Sequence, residues 1–240
     1  MMSPAIVIEE SAQDLLLIAD HASNYVPPEL QLGVAPELLN EHVALDVGVA
    51  PLAESLCGRL GCAGILGGVS RLVIDLNREL DTHGLIPAMS DGRLIPGNRN
   101  LSEEARHRRI AEWWEPYHRI VEERIASTRP KMLISLHSFT PKLSSDDVHR
   151  PWQVGVLYNE DERAARIAIP LLEERGVVTG DNQPYSGKVL NATMNRHAEG
   201  NGIPYLGLEV RQDLLLAPEA VAEWCAILAP VIAATAESLA

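Results

Sequence analysis

The sequence predicts an α/β protein, a single three-layer α/β/α domain over residues 1–240 with a mixed, mainly parallel central sheet. Three observations carry this reading. Short apolar runs of strand length alternate with longer segments patterned as helices. Runs such as Leu15-Leu16-Leu17-Ile18-Ala19 and Met132-Leu133-Ile134-Ser135-Leu136 are nearly continuous in apolar residues, as buried strands are. No repeat, low-complexity tract or linker divides the chain, and 240 residues can enclose one substantial core.

The elements follow in order. Asp14–Ala19 reads as the first strand, and the proline-interrupted stretch Asn24–Pro36 as a loop. A helix is expected from about Glu37 to Leu60, with a break or restart near Pro51 and Leu38, Leu39, Val43, Leu52 and Leu56 on its buried face. Gly61 to Gly68 reads as turn and strand, and Leu72–Leu76 as a further strand ending in Asn77-Arg78. Asp81–Asn100, rich in Gly, Pro, Asp and Asn, has the length of a functional lid or binding loop. Ser102 and the acids after it open a helix to about Thr128, kinked at Pro116 and stopped by Pro130. The strand leading to His137 comes next, then a polar loop, Thr140–Arg150, and a strand at Trp152–Tyr158. Asp161–Arg175 is an amphipathic helix ended by Gly176, and Thr179–Asn191 a loop. Tyr205–Val210 is a strand, and Pro218–Leu239 a closing helix with proline in its first turn.

A net charge of −13 argues against nucleic acid or an anionic membrane as partner. A small anionic substrate stays possible, because a few arginines in a cleft reverse the sign locally. Cys57, Cys62 and Cys225 form no Cys-x-x-Cys pair and read as reduced thiols of a cytoplasmic protein. Met1-Met2-Ser3-Pro4 is not expected to open a signal peptide, and the apolar stretch Ala226–Ala234, broken by Pro230, is short for a membrane span. Nothing in the sequence assigns an oligomeric state.

The chemistry gathers where strands end. His21 and His137 each close an apolar run, and ligand sites of open α/β sheets collect at the carboxyl ends of strands. Two imidazoles delivered there are a candidate pair for Zn2+ or another divalent metal. A hydrolytic zinc site takes three protein ligands and leaves a place for water. The third ligand is open between Asp46 and Asn24. Asp46 is favoured, because an acid among apolar neighbours is costly to bury unless paired or metal-bound. Its alternative is a pairing with arginine or a loop cap.

Glu209 stands in another apolar run and suits a general base, which takes a proton from the attacking water and hands it to a leaving amine. Its alternative is a salt bridge with Arg211. In the segment Ser70–Arg78, Arg71 can stabilise a developing oxyanion, while Asn77 and Arg78 can grip a carboxylate. Asp75 is then free to pair with an arginine at the sheet edge. Arg211 and His83, the latter in the long loop, are further candidate substrate contacts. Asp20 is a candidate to orient His21. Ser23 and Ser138 lack the Gly-x-Ser-x-Gly setting of a serine nucleophile. His42, His107, His118, His149 and His197 read as ordinary helix and loop histidines.

The sequence resembles the N-formylglutamate amidohydrolase family. The stretches that carry the resemblance are Asp20-His21-Ala22-Ser23, Ser70 through Arg78, Ser135-Leu136-His137-Ser138, Asn182-Gln183-Pro184-Tyr185-Ser186-Gly187 and Gly207-Leu208-Glu209-Val210-Arg211. Similar elements occur in the wider zinc carboxypeptidase and aspartoacylase group. The resemblance implies His21 and His137 as metal ligands, Glu209 as base, Arg71 near the scissile carbonyl, and Asn77 with Arg78 near the substrate carboxylate. Asn24 departs from the aspartoacylase branch, where a glutamate stands three residues after the first histidine. The activity implied is hydrolysis of a small anionic N-acyl amino acid, with N-formyl-L-glutamate, giving glutamate and formate, as the leading substrate. The alternatives are another N-acyl amino acid or small peptide on the same metal site, or a binding protein that has lost the metal.

Overall fold

The computed structural model describes residues 3–9, 12–144 and 148–239, so residues 145–147 of the expected polar loop lie outside the described residues. The apolar runs form β2 (Ala12–Ala19), β3 (Cys62–Gly67), β6 (Met132–Phe139), β7 (Val154–Leu157) and β9 (Tyr205–Arg211). Two strands of the main sheet went unforeseen, β1 (Ala5–Ile8) and β8 (Thr179–Asp181). They are the edges of a seven-stranded sheet of order β1-β3-β2-β6-β9-β7-β8. Edge strands are short and half wet, so their apolar signal is weak. β2, β3, β6 and β9 run parallel to their neighbours in that set, while β1 on β3 and β7 on β9 are antiparallel. The mixed, mainly parallel sheet is the expected one. Every residue of β6 is buried, between β2 and β9.

One face of the sheet is covered by α1 (Val49–Leu60), α4 (Arg163–Glu173) and α6 (Pro218–Ser238), with α6 packed on the other two. By length and apolar composition α6 is long enough to cross a membrane, contrary to expectation. In this fold it packs on α1 and α4 and buries Val221, Trp224, Leu228, Val231 and Ile232. Apart from these helices, α3 (Glu115–Thr128) packs on β2 and is preceded in the chain by α2 (Glu103–Arg109). Ser102 caps α2 by accepting the Ala105 N–H at 3.2 Å. Pro116 does not break the helix. The chain runs through a π turn, Ile110–Trp114, just before it, which accommodates a residue without an N–H. No disulfide joins the three buried cysteines.

Two expected elements are corrected. The helix from Glu37 is a single 3-10 turn, Pro36–Asn40, and α1 begins only at Val49. Between them the backbone is committed elsewhere, since the Asp46 N–H donates to the His21 carbonyl at 2.9 Å and the Ala44 carbonyl accepts from Arg71 N–H and Ser70 Oγ. Gly48 makes the re-entry into α1 with a φ of 81°, and a Cβ there would meet Leu215 Cβ at 2.3 Å. Leu72–Leu76 is buried but is not a strand. It is a turn in which side chains satisfy the carbonyls of Leu72, Val73 and Leu76, with Asn98 donating to the first, Arg109 to the second and His118 to the third. A short apolar run shows burial without showing which backbone satisfies it. The Asp81–Asn100 loop holds a small hairpin, β4 (Met89–Ser90) and β5 (Arg93–Leu94).

His118 is itself backed by a second histidine of α5 (Ala192–His197). Its Nε2–H donates to the Leu76 carbonyl at 3.0 Å, so its Nδ1 accepts from His197 Nε2 at 2.7 Å. Burial pushes His118 down to about 4, and burial with the neighbouring imidazole pushes His197 down to about 3. Both rings are expected to stay neutral in NMR titrations until the pH falls to about 4. Between 6.5 and 4 the unfolded chain takes up protons that the folded chain refuses, so this pair lowers stability as the pH falls through that window. A ring titrating near 6.5 contradicts the buried pair.

Candidate metal centre and active site

The carboxyl ends of β2, β6 and β9 meet at one cleft of about 370 Å³, lined by His21, Asp46, Arg71, Asp75, Asn77, Arg78, His137 and Glu209 among others. His21 follows β2 directly, and His137 lies near the end of β6. Glu209 on β9 is the register partner of His137, so both side chains leave the same face of the sheet. The two imidazole centroids are 5.0 Å apart.

One ligand atom each from His21, Asp46 and His137 lies within 4.8 Å of the others, and all three residues are buried. Asp46 Oδ2 is 3.4 Å from His21 Nδ1 and 2.8 Å from His137 Nδ1. In a tetrahedral zinc shell such donors stand about 3.3 Å apart. Both imidazoles turn Nδ1 inward and back Nε2 with an aspartate. His21 Nε2 is 2.7 Å from Asp75 Oδ1, and His137 Nε2 faces Asp20 Oδ2 at 3.4 Å. Carboxylates behind metal-ligating histidines fix ring and tautomer in this way. Asn24, the other candidate third ligand, bonds the Asn40 side chain at 2.9 Å at the surface and is not in the cluster.

The charges fit a cation. Asp46 and Asp75 pair with the two guanidiniums, Arg71 and Arg78, while Asp20 stands beside His137 and Glu209 lines the cleft, so with all four carboxylates ionised and the imidazoles neutral two negative charges are uncompensated. Without a cation the burial that disfavours charged imidazoles is outweighed by these carboxylates, and His137 is raised well above its usual range. Burial alone would raise Asp46, yet the two imidazoles hold it below the usual carboxylate range. Asp20 Oδ2, His137 Nε2 and Glu209 Oε2 are buried with no hydrogen-bond partner among the described residues. Burial pushes the Glu209 carboxyl up to about 7, with the charge of Asp46 adding to the rise.

Arg71 spends one N–H on Asp46 Oδ1 at 3.1 Å and another on Asp75 Oδ2 at 3.0 Å, and remains a quarter exposed in the cleft. Asp46 therefore both pairs with an arginine and faces the imidazoles. Arg78 lies 3.7 Å from Asp75 and lines the same wall. Asn77 Oδ1 accepts the Thr193 N–H at 2.9 Å.

Two expected contacts are not brought to the cleft. Arg211 binds Asp213 through Nε at 2.7 Å and reaches the carbonyls of Pro151 and Trp152, so it neither lines the cleft nor pairs with Glu209. His83 lies in a separate depression with Asp81, Asn98 and Arg106. Asp20 backs His137 rather than His21, since neighbours at a strand end point to opposite faces. Asp75 takes the His21 role instead. The expectation also missed Tyr185, which lines the cleft with its hydroxyl accepting from Arg150 at 2.8 Å. It missed His42 and Asp91, paired at 2.9 Å on the cleft wall. The Pro184-Tyr185-Ser186-Gly187 turn was a visible signal. His42 carried none.

Residues 13–216 match the family model for N-formylglutamate amidohydrolase. The N-formylglutamate deformylase of Pseudomonas aeruginosa is 30% identical over 135 residues, which cover 52% of this chain and 50% of that protein. The aligned region thus spans about half the length of this curated relative. A gene product of Agrobacterium tumefaciens has the same structure at a TM-score of 0.94 and 27% identity, covering 99% of this chain and 96% of its own. The N-formylglutamate amidohydrolase of Ralstonia eutropha shares the fold at a TM-score of 0.77 and 20% identity, with 99% and 98% covered.

Proposed function

The chain belongs to the N-formylglutamate amidohydrolase family, and from that premise we propose that its 240 residues are one metal-dependent amidohydrolase domain cleaving N-formyl-L-glutamate to glutamate and formate. The observation that carries the metal dependence is Asp46 Oδ2 set against His21 Nδ1 and His137 Nδ1. Those three residues would hold the ion, zinc by the choice of donors. Such an ion, when bound, polarises the acyl carbonyl and makes water a nucleophile at neutral pH.

The chain's own groups do the rest. Glu209 takes a proton from the attacking water and delivers it to the leaving amide nitrogen, so that a C–O bond forms as the C–N bond breaks. Arg71 is held in place by Asp46 and Asp75 and turns its remaining donors to the oxyanion. Arg78 and Asn77 hold the carboxylate of the substrate. The acidic surface and reduced thiols suit a cytoplasmic enzyme whose partner is this small anionic substrate rather than nucleic acid or a membrane.

A release assay across N-formyl, N-acetyl and N-succinyl amino acids and short peptides tests the substrate. N-formyl-L-glutamate is expected to have the highest kcat/KM, and a peptide preference overturns the assignment. Arg78→Met is expected to raise KM for N-formyl-L-glutamate by roughly 10- to 100-fold, the worth of a charge-assisted hydrogen bond. An unchanged KM removes Arg78 from carboxylate recognition.

A further inference from the structure

We propose that Tyr117 and Thr193 are positioning residues of the metal centre, which together fix the Asp20 carboxylate so that it orients His137. The inference rests on the reading of His21, Asp46 and His137 as a metal site. Asp20 is fully buried just beyond β2. Its Oδ1 accepts from the Tyr117 hydroxyl on α3 at 2.7 Å and from Thr193 Oγ1 on α5 at 2.9 Å. Two donors from different helices leave the carboxylate one orientation, because turning it breaks both bonds on a side chain that is out of contact with bulk solvent.

In that orientation Oδ2 faces His137 Nε2 as an ion pair at 3.4 Å, and neither atom has a hydrogen-bond partner among the described residues. A proton on Nε2 shared with Asp20 leaves the lone pair on Nδ1, the atom turned toward Asp46. Thr193 also donates its N–H to Asn77 Oδ1, so one residue braces the back of the centre and a wall of the cleft. Neither Tyr117 nor Thr193 is within the ligand cluster. Their influence passes through Asp20.

The test is zinc affinity, measured by chelator competition, together with the visible spectrum of the cobalt-loaded protein. The nearly isosteric Thr193→Val and Tyr117→Phe are each expected to weaken zinc binding several-fold, and the double variant about 10- to 100-fold. Thr193→Ser keeps the hydroxyl and is expected to bind zinc as the wild type does. The cobalt spectrum is expected to shift in the valine and phenylalanine variants only. Wild-type affinity and spectrum in both single variants overturn the proposal, even if their melting temperatures fall, because that is the result of a merely structural role. The singles decide the question if the double variant does not fold. A wild-type chain that takes up no stoichiometric zinc overturns the metal site itself, and that result is read before any substitution is made.

Discussion

Asp46→Ala is expected to abolish metal uptake and turnover of N-formyl-L-glutamate together. Asp46 Oδ2 sits between the two imidazoles and Oδ1 holds Arg71, so the substitution removes one of three candidate ligands and releases the oxyanion group at once. Two imidazoles without a carboxylate are a poor zinc site, and the Lewis acid contributes several kcal/mol of transition-state stabilisation. The expected loss is roughly 10³-fold or more in kcat/KM. Metal content by mass spectrometry and formate release check it, with circular dichroism to show that the fold survives. Asn24→Ala is the control. Its side chain bonds Asn40 outside the cluster, so zinc content and turnover should match the wild type. Full zinc content in the Asp46 variant would remove Asp46 from the ligand set.

The sequence made the ends of the strands legible because buried strands leave a plain signal. The runs before His21 and His137 are nearly all apolar, and no solvent-exposed element needs such a composition. Asp46 was legible for a related reason, as an acid among Ala44, Leu45, Val47 and Val49. The partners of these residues were not. Asp75 reaches His21 from 54 positions away, and Thr193 reaches Asp20 from 173, distances over which a linear pattern carries no register. Nearness in sequence also misled. Arg211 is two residues from Glu209, yet the chain turns after β9 and Asp213 captures it. Asp20 adjoins His21 but serves the other histidine. Leu72–Leu76 has the composition of a strand and the burial of one, and the side chains of Asn98, Arg109 and His118 take carbonyls there that a neighbouring strand would otherwise satisfy.

Glu209→Gln is expected to lower kcat by about 10²- to 10⁴-fold, the usual worth of a general base, while leaving zinc content unchanged. The amide keeps the size of the side chain and cannot accept the proton. Zinc content should hold because His21, Asp46 and His137 already form the close cluster. The pH profile gives a second readout with a definite sign. Burial raises the Glu209 carboxyl to about 7, and a cation beside it pulls the value back down. The base works ionised, so kcat/KM in the wild type should rise with pH along an acid limb at or below about 7 and then level off. The glutamine variant should lose that limb. Stability should move the other way. In the metal-free protein the folded chain keeps a proton on Glu209 from 4.5 to about 7 that the unfolded chain has released, so ionising this group costs stability as pH rises. The neutral amide has no such cost, and the metal-free Glu209→Gln protein should melt higher than the wild type above pH 7. A variant that turns over normally removes Glu209 from the mechanism. One that is slow but no more stable than the wild type at high pH would show that the carboxylate is not held in the dry, unpartnered setting from which its basicity is argued.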